Sequence, residues 1–343
     1  MPLILLIVKI YIKILISKVY KLTMKILAIQ NRMGIGDTVI FLPFIKAISK
    51  KFGAPVSLLV KENSKANEFL NQTNYIDEII HLERDNKINQ KHDGFKGFFK
   101  LVSDIKKYNF DKVFIFNSSL RYNLISRLAG IKEIFQYPLF EKQNQHITEP
   151  AKAIMKKYLD IETFDNPEIQ IENKIVQESA VNFKINNDEL NILLGIGGSG
   201  PTKRIPSKTF LNVMERLESL KKCRFFLATG KNEDEQKILT ELYDTKFKDK
   251  CVALDNLNLR EILPVIKNCN VAICNDTSFS HLSSALGIKT ITLMADTPLI
   301  YGSYSTNMYP IIPDGEITVS HNTLGKDKIN PDKIYEKLLS IIN

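Results

Sequence analysis

The sequence predicts an α/β protein with two Rossmann-like units, each built on a parallel sheet. Three observations carry this. From Met24 onward, short continuous apolar runs alternate with amphipathic helical segments, and runs without polar alternation mark parallel strands covered on both faces. The length, 343 residues, suits two domains better than one. The halves also repeat one design of strand, short loop, Asp-Thr pair and helix, with Asp37-Thr38 in the first and Asp276-Thr277 in the second.

Strands are expected at 25–30, 56–60, 78–82 and 112–117, then at 191–196, 224–229, 270–275 and 290–294. A helix over 38–50 turns Phe41, Phe44, Ile45 and Ile48 to one face, a face that Phe52 continues. In the second half Pro206 opens a helix with Phe210, Val213, Met214, Leu217 and Leu220 inward. Further helices are expected over 234–243, 259–267 and 276–286, the last stopped by Gly287, and over 331–342. The polar, weakly patterned stretch 165–188 reads as the connection. The domains are then 24–175 and 176–327, with a C-terminal helix over 328–343 and an extension over 1–23.

That extension is almost wholly apolar, broken by Lys9, Lys13, Ser17, Lys18 and Lys21 at nearly helical spacing. A basic stripe on an apolar helix reads as a membrane-surface helix. Its longest charge-free run falls far short of the roughly 20 residues a spanning helix needs. The alternative is a start codon placed upstream of Met24.

Hydrophobic residues at 44% and charged residues at 25% give a globular composition. The net charge of +9 suits an anionic ligand, a nucleic acid or an acidic membrane surface and does not choose among them. No nucleic-acid motif accompanies it, so no nucleic-acid partner is expected. The four cysteines form no CxxC pair and read as reduced thiols of a cytosolic protein. No metal site is expected from the ligand spacing.

Four segments can carry chemistry. In 31–38, two glycines and the start of a helix favour an anion, and Asp37 stands at the expected cap as a carboxylate able to accept a proton from a sugar hydroxyl. An ordinary N-cap is the bland alternative. The run 195–206 contains G-x-G-x-x-G, but Pro201 follows and the helix opens only near Pro206, so the dinucleotide fingerprint fails. Ser199, Thr202 and Lys203 on that loop suit a phosphate. In 274–281, Thr277 and Ser278 supply hydroxyls at a helix start, Asp276 is expected to cap the helix and orient these donors, and His281 lies one turn on. Near 229–235, Asp234 is the candidate ribose contact. A diffuse basic run also stands out: Arg84, Lys87, Lys91, His92, Lys96, Lys100, Lys106 and Lys107. It is a solvated face or a hold on an anionic acceptor, and Arg84, Lys91 and Arg121 are the acceptor candidates.

Together these motifs resemble glycosyltransferase family 9, the lipopolysaccharide heptosyltransferases. The strand at Ile26–Ile29 with Gly36-Asp37-Thr38 resembles the family's opening. Gly198 with Thr202-Lys203-Arg204-Ile205-Pro206 resembles its lysine-x-Trp-Pro segment. Asn275-Asp276-Thr277 with His281 and Ala285-Leu286-Gly287 resembles its Asp-Thr-Gly block. The resemblance covers roughly residues 24–303. It implies a GT-B fold whose two units face a cleft, inverting transfer and no metal or other cofactor. Asp37 would be the general base. Ser199, Thr202, Lys203, Asp276, Thr277, Ser278 and His281 would hold the donor diphosphate. The donor would be ADP-heptose and the acceptor an anionic glycolipid or oligosaccharide, met by a cytoplasmic enzyme on the inner face of the inner membrane. The chain departs from the family twice: Ile205 replaces the Trp, and Ser278 replaces the Gly after Asp-Thr. Both bear on the donor sugar, so a UDP- or GDP-sugar is the first alternative. An NAD-binding oxidoreductase or epimerase is the alternative from another class.

Overall fold

The computed structural model describes residues 24–32, 34–84, 90–139 and 147–342. The apolar-basic extension over 1–23 lies outside the described residues. The chain divides into two compact units, 1–165 and 166–343.

The first unit holds strands β1 (Ile26–Ile29), β2 (Val56–Lys61), β3 (Ile76–Leu82), β4 (Lys112–Ile115) and β5 (Glu133–Gln136). They form one sheet in the order β3-β2-β1-β4-β5, with every pairing parallel. Helices α1 (Ile35–Phe52), α2 (Ala66–Phe69), α3 (Gly94–Lys106), α4 (Leu120–Leu128) and α5 (Glu149–Leu159) connect and flank them. All four residues of β1 are buried, as expected of a central parallel strand. Leu27 and Ile29 pack with Leu101, Ile105, Val113, Ile115, Tyr122 and Ile125 in one core cluster.

The second unit holds α6 (Asn173–Asn182), β6 (Leu190–Gly195), α7 (Ser207–Leu220), β7 (Cys223–Ala228), α8 (Glu233–Tyr243), β8 (Cys251–Ala253) and α9 (Leu259–Lys267). It continues through β9 (Val271–Asn275), α10 (Ser278–Ala285), β10 (Lys289–Leu293), β11 (Met308–Ile311) and α11 (Pro331–Ile342). Its sheet runs β11-β10-β9-β6-β7-β8, again all parallel. α7 turns Phe210, Val213, Met214 and Leu217 into this core, where Ile205 is fully buried. Gly287 takes the left-handed conformation that ends α10 (φ +82°). All four cysteines are free and buried. Burial pushes the Cys223, Cys251 and Cys274 thiols up to about 12, so none is a ready nucleophile.

Each sheet reverses its strand order once, between β1 and β4 in the first unit and between β6 and β9 in the second. Open α/β sheets bind ligands beyond the carboxyl ends of the strands at such a switch point. The loops entering these positions are those that carry Asp37, Lys203 and Asp276.

Five details differ from the sequence expectation, and the first is that Leu220, expected inward on α7, is exposed. The stretch read as a connection contains α6. The helix expected over 276–286 is shorter, Ser278–Ala285. The expected strands are all present, but β5, β8 and β11 were not anticipated, nor were helices α2 to α6. Finally, Asp37 is not a helix cap: the cap residue of α1 is Gly34, and Asp37 lies one turn in.

Candidate active site

In the first unit, the peptide leaves β1 through Gln30, whose side chain ties the loop together. Gln30 Oε1 accepts from the Arg32 N–H at 2.7 Å, and Gln30 Nε2 donates to the Asp37 carbonyl at 3.2 Å. The Asp37 carboxylate reaches back to accept from the Gly34 N–H at 3.2 Å. That bond uses one of the donors a helix start leaves unpaired. The other oxygen stands 3.8 Å from Arg32 Nη1, and the Asp37 side chain is 25% exposed. The group is fixed on one side and open on the other, as a proton acceptor for a bound hydroxyl must be.

The basic run of this unit is ordered around one carboxylate. Asp104 receives Lys107 at 2.8 Å, Lys91 at 3.0 Å, His92 at 3.3 Å and Lys100 at 3.8 Å. Burial opposes its ionisation, but the hydrogen bonds from Lys107, Lys91 and His92 outweigh it and hold the carboxyl far below its ordinary range. Lys91 also meets Glu83 at 3.3 Å. Arg121 donates to the carbonyls of His92 (2.8 Å) and Gly94 (3.2 Å), and Arg84 faces Asp93 at 3.6 Å. Lys87 lies outside the described residues.

In the second unit the loops after β6, β7, β9 and β10 carry a connected polar network. Asn275, buried at the end of β9, donates to the carbonyls of Ile196 (2.9 Å) and Gly197 (3.0 Å) and so pins the glycine loop to its neighbour strand. Lys203 Nζ donates to Asp276 Oδ2 at 2.9 Å. Asp276 is almost wholly buried, whereas the Lys203 side chain is 23% exposed. Burial opposes the Asp276 charge, but Lys203 and His281 overcome it and depress its pKa. His281 Nε2 stands 3.9 Å from Asp276, and its Nδ1 meets the Tyr304 hydroxyl at 2.7 Å with the rings stacked. Burial, reinforced by Asp276, drives the Tyr304 phenol well above its ordinary value. The protonated phenol can donate to Nδ1, which turns the Nε2 proton towards Asp276.

Thr277 is the true cap of α10; its hydroxyl accepts from the Phe279 N–H at 3.3 Å. Ser278 opens the helix beside it. Asp276 therefore does not cap the helix: it holds Lys203, whose ammonium keeps further donors for an anion. Ser199 is exposed at the crest of the glycine loop. The Thr202 hydroxyl and the Leu324 N–H support the ionised Asp296 carboxylate against burial.

Asp234 forms an ion pair with Arg204 at 2.6 Å and is otherwise exposed. Its neighbour Glu235 is the buried member of the acidic cluster. Glu235 accepts from the Gly198 N–H at 2.5 Å, and Arg204 Nε donates to the Gly198 carbonyl at 3.0 Å. A side chain on Gly197 would meet the Glu235 carboxylate at 2.7 Å, and one on Gly230 would come closer still. These two glycines make room for Glu235. Sequence reasoning missed Glu235, Tyr304 and Asp296, and it took Asn275 as part of a motif without a role of its own. Only Glu235 left a signal: the Asn232 cap puts it at the third helical position, one turn in.

Two parallel Rossmann-type sheets, each carrying charged loops at its switch point, give the chain the GT-B fold. The family model described as "Glycosyltransferase family 9 (heptosyltransferase)" matches residues 98–312. The chain belongs to this family. It is 24% identical to the lipopolysaccharide heptosyltransferase 1 of Campylobacter coli, over 91% of this chain and 96% of that one. Its fold matches E. coli ADP-heptose lipopolysaccharide heptosyltransferase II with a TM-score of 0.71 at 17% identity, covering 93% of this chain and 98% of that one. A family 9 glycosyltransferase from Veillonella parvula matches with a TM-score of 0.73 at 14% identity, covering 94% and 97%.

Proposed function

We propose that this glycosyltransferase moves a heptose from ADP-heptose to a lipopolysaccharide-core acceptor, with inversion at the anomeric carbon and without a metal ion. The observation that carries the reading is the Lys203–Asp276–His281 constellation at the start of α10. It offers a buried counter-charge, an ammonium with spare donors and a capped helix N-terminus, which together suit a diphosphate. The relatives named for ADP-heptose and for lipopolysaccharide support the donor and the acceptor.

In this reading the second unit holds the donor. Lys203, Thr277 and Ser278 contact the diphosphate, with Ser199 and Thr202 on the facing loop. Asp276 and His281 orient the cation rather than touch phosphate, since a carboxylate repels it. Asp234 accepts from the ribose hydroxyls. The first unit supplies Asp37 as base and Arg84, Lys91 and Arg121 as contacts to an anionic acceptor. The acceptor oxygen attacks the anomeric carbon opposite the diphosphate, the bond to ADP breaks, and Asp37 takes the hydroxyl proton. Charge developing on the leaving diphosphate is met by Lys203 and the helix N–H groups, a stabilisation that acts in the transition state.

The enzyme works at the cytoplasmic face of the inner membrane, where its glycolipid acceptor is anchored. No described helix is long and apolar enough to cross a membrane. The test is a thermal-shift and transfer panel of ADP-, UDP- and GDP-sugars, with the product anomer read by NMR. ADP-heptose alone should stabilise the protein and give an inverted product. Equal response to all three nucleotides, or a retained anomer, overturns the reading.

A further inference from the structure

We infer that α3 and α4 of the first unit form a docking surface for an anionic lipid bilayer. Of the eleven large apolar residues exposed among the described residues, five stand on these two helices. Phe95 is 79% exposed and Phe99 50% on α3; Leu120, Leu124 and Leu128 are 39%, 42% and 54% exposed on α4. Their spacing explains the concentration. Positions 95 and 99 are one turn apart, opposite the buried Gly97, Leu101 and Ile105. Positions 120, 124 and 128 make a second single-turn row, opposite the buried Tyr122, Ile125 and Ser126. Phe98 joins the rows: its ring contacts Phe99 at 5.2 Å, and the Arg121 guanidinium of α4 lies over it at 5.3 Å. A soluble surface scatters such side chains singly; neighbouring rows mark a contact face.

The charges around the rows select the occupant. α3 carries Lys96, Lys100 and Lys106, and α4 carries Arg121 and Arg127, against Asp104 alone. Asp104 is already surrounded by cations and presents no repulsive field. Apolar side chains flanked by long basic ones fit the interface of an anionic bilayer, with rings at the acyl boundary and ammonium groups at the headgroups. A second copy of this chain would bring the same cations against themselves.

The inference deepens the proposed function by naming how the enzyme meets its membrane, but its test uses no sugar donor, so the two can fail separately. The full chain is sedimented with vesicles of neutral phosphatidylcholine and with vesicles containing phosphatidylglycerol. Preferential, salt-sensitive binding to the anionic vesicles is expected. Phe95→Ser with Phe99→Ser should weaken that binding at least tenfold, and Lys96→Glu with Lys106→Glu should do so at low salt. Ile317→Ser, at a still more exposed apolar residue of the second unit, should leave it unchanged. Unchanged far-ultraviolet circular dichroism and a wild-type melting temperature show that the variants fold. Vesicle binding that survives the phenylalanine substitutions, or no preference for anionic lipid, overturns the inference. So does a wild-type dimer in sedimentation velocity that the same substitutions dissociate.

Discussion

Asp37-Thr38 and Asp276-Thr277 share a dipeptide, a parallel-strand exit and a following helix, yet their carboxylates live in opposite surroundings. Asp37 is bound by one backbone N–H, faces Arg32 at a distance and keeps a quarter of its side chain exposed. Asp276 is buried and locked onto Lys203. The shift is one of register. Asp37 falls in the first turn of α1, whereas Asp276 precedes the cap of α10 and turns to the loop after β6. Burial and partner, rather than the dipeptide, decide that one carboxylate stays open to a ligand and the other fixes a cation.

Four changes sharpen that contrast. The largest effect is expected from Asp37→Ala, which should lower turnover about a thousandfold, within the range for loss of a general base, with thermal stability nearly unchanged. Lys203→Ala should cost stability on the order of 3 kcal/mol, because it strands the Asp276 charge in the interior, and denaturant titration reads this directly. Glu235→Ala removes the acceptor of the Gly198 N–H and should cost about 1–3 kcal/mol, with weaker nucleotide binding as the loop loosens. Tyr304→Phe removes one hydrogen bond to His281 and should cost only about 1 kcal/mol, with a small rise in donor KM.

The contrast also has a pH signature. The folded pKa of Asp276 is depressed below the ordinary 3.8. Its contribution to stability is therefore complete above about pH 4 and is lost as pH falls through the folded value. Asp276→Asn should be less stable than the wild type at pH 7, and the gap should close in acid. A constant gap from pH 7 to pH 2 would mean that the Asp276 charge contributes nothing.

Much of the fold was legible because central parallel strands are continuous apolar runs. β1, β6, β7 and β9 show this, and α9 and α11 fall at their expected limits. The three strands that escaped notice, β5, β8 and β11, all lie at sheet edges. They are three or four residues long and partly exposed, so their side chains form no apolar run. α3 escaped because its glycines and lysines suggested a solvated run. In the site, residues at strand exits could be read, since loop chemistry is local. Tyr304 could not: it meets His281 from 23 positions away, through tertiary packing alone. Asp234 outshone Glu235 because charge is visible in a sequence and burial is not. Ile205, the position at which the family resemblance implies a Trp, proves to be a fully buried core residue; Ile205→Trp should overpack this core and cost about 1–3 kcal/mol.

The division of labour between the two Asp-Thr sites is tested most directly by calorimetric titration of ADP into the wild type, Asp37→Ala and Lys203→Ala. Asp37→Ala should bind ADP with the wild-type Kd, and Lys203→Ala about a hundredfold more weakly, in line with loss of charge-assisted bonds to phosphate of about 1.5–3 kcal/mol. Equal weakening in both variants, or wild-type affinity in Lys203→Ala, would contradict the assignment.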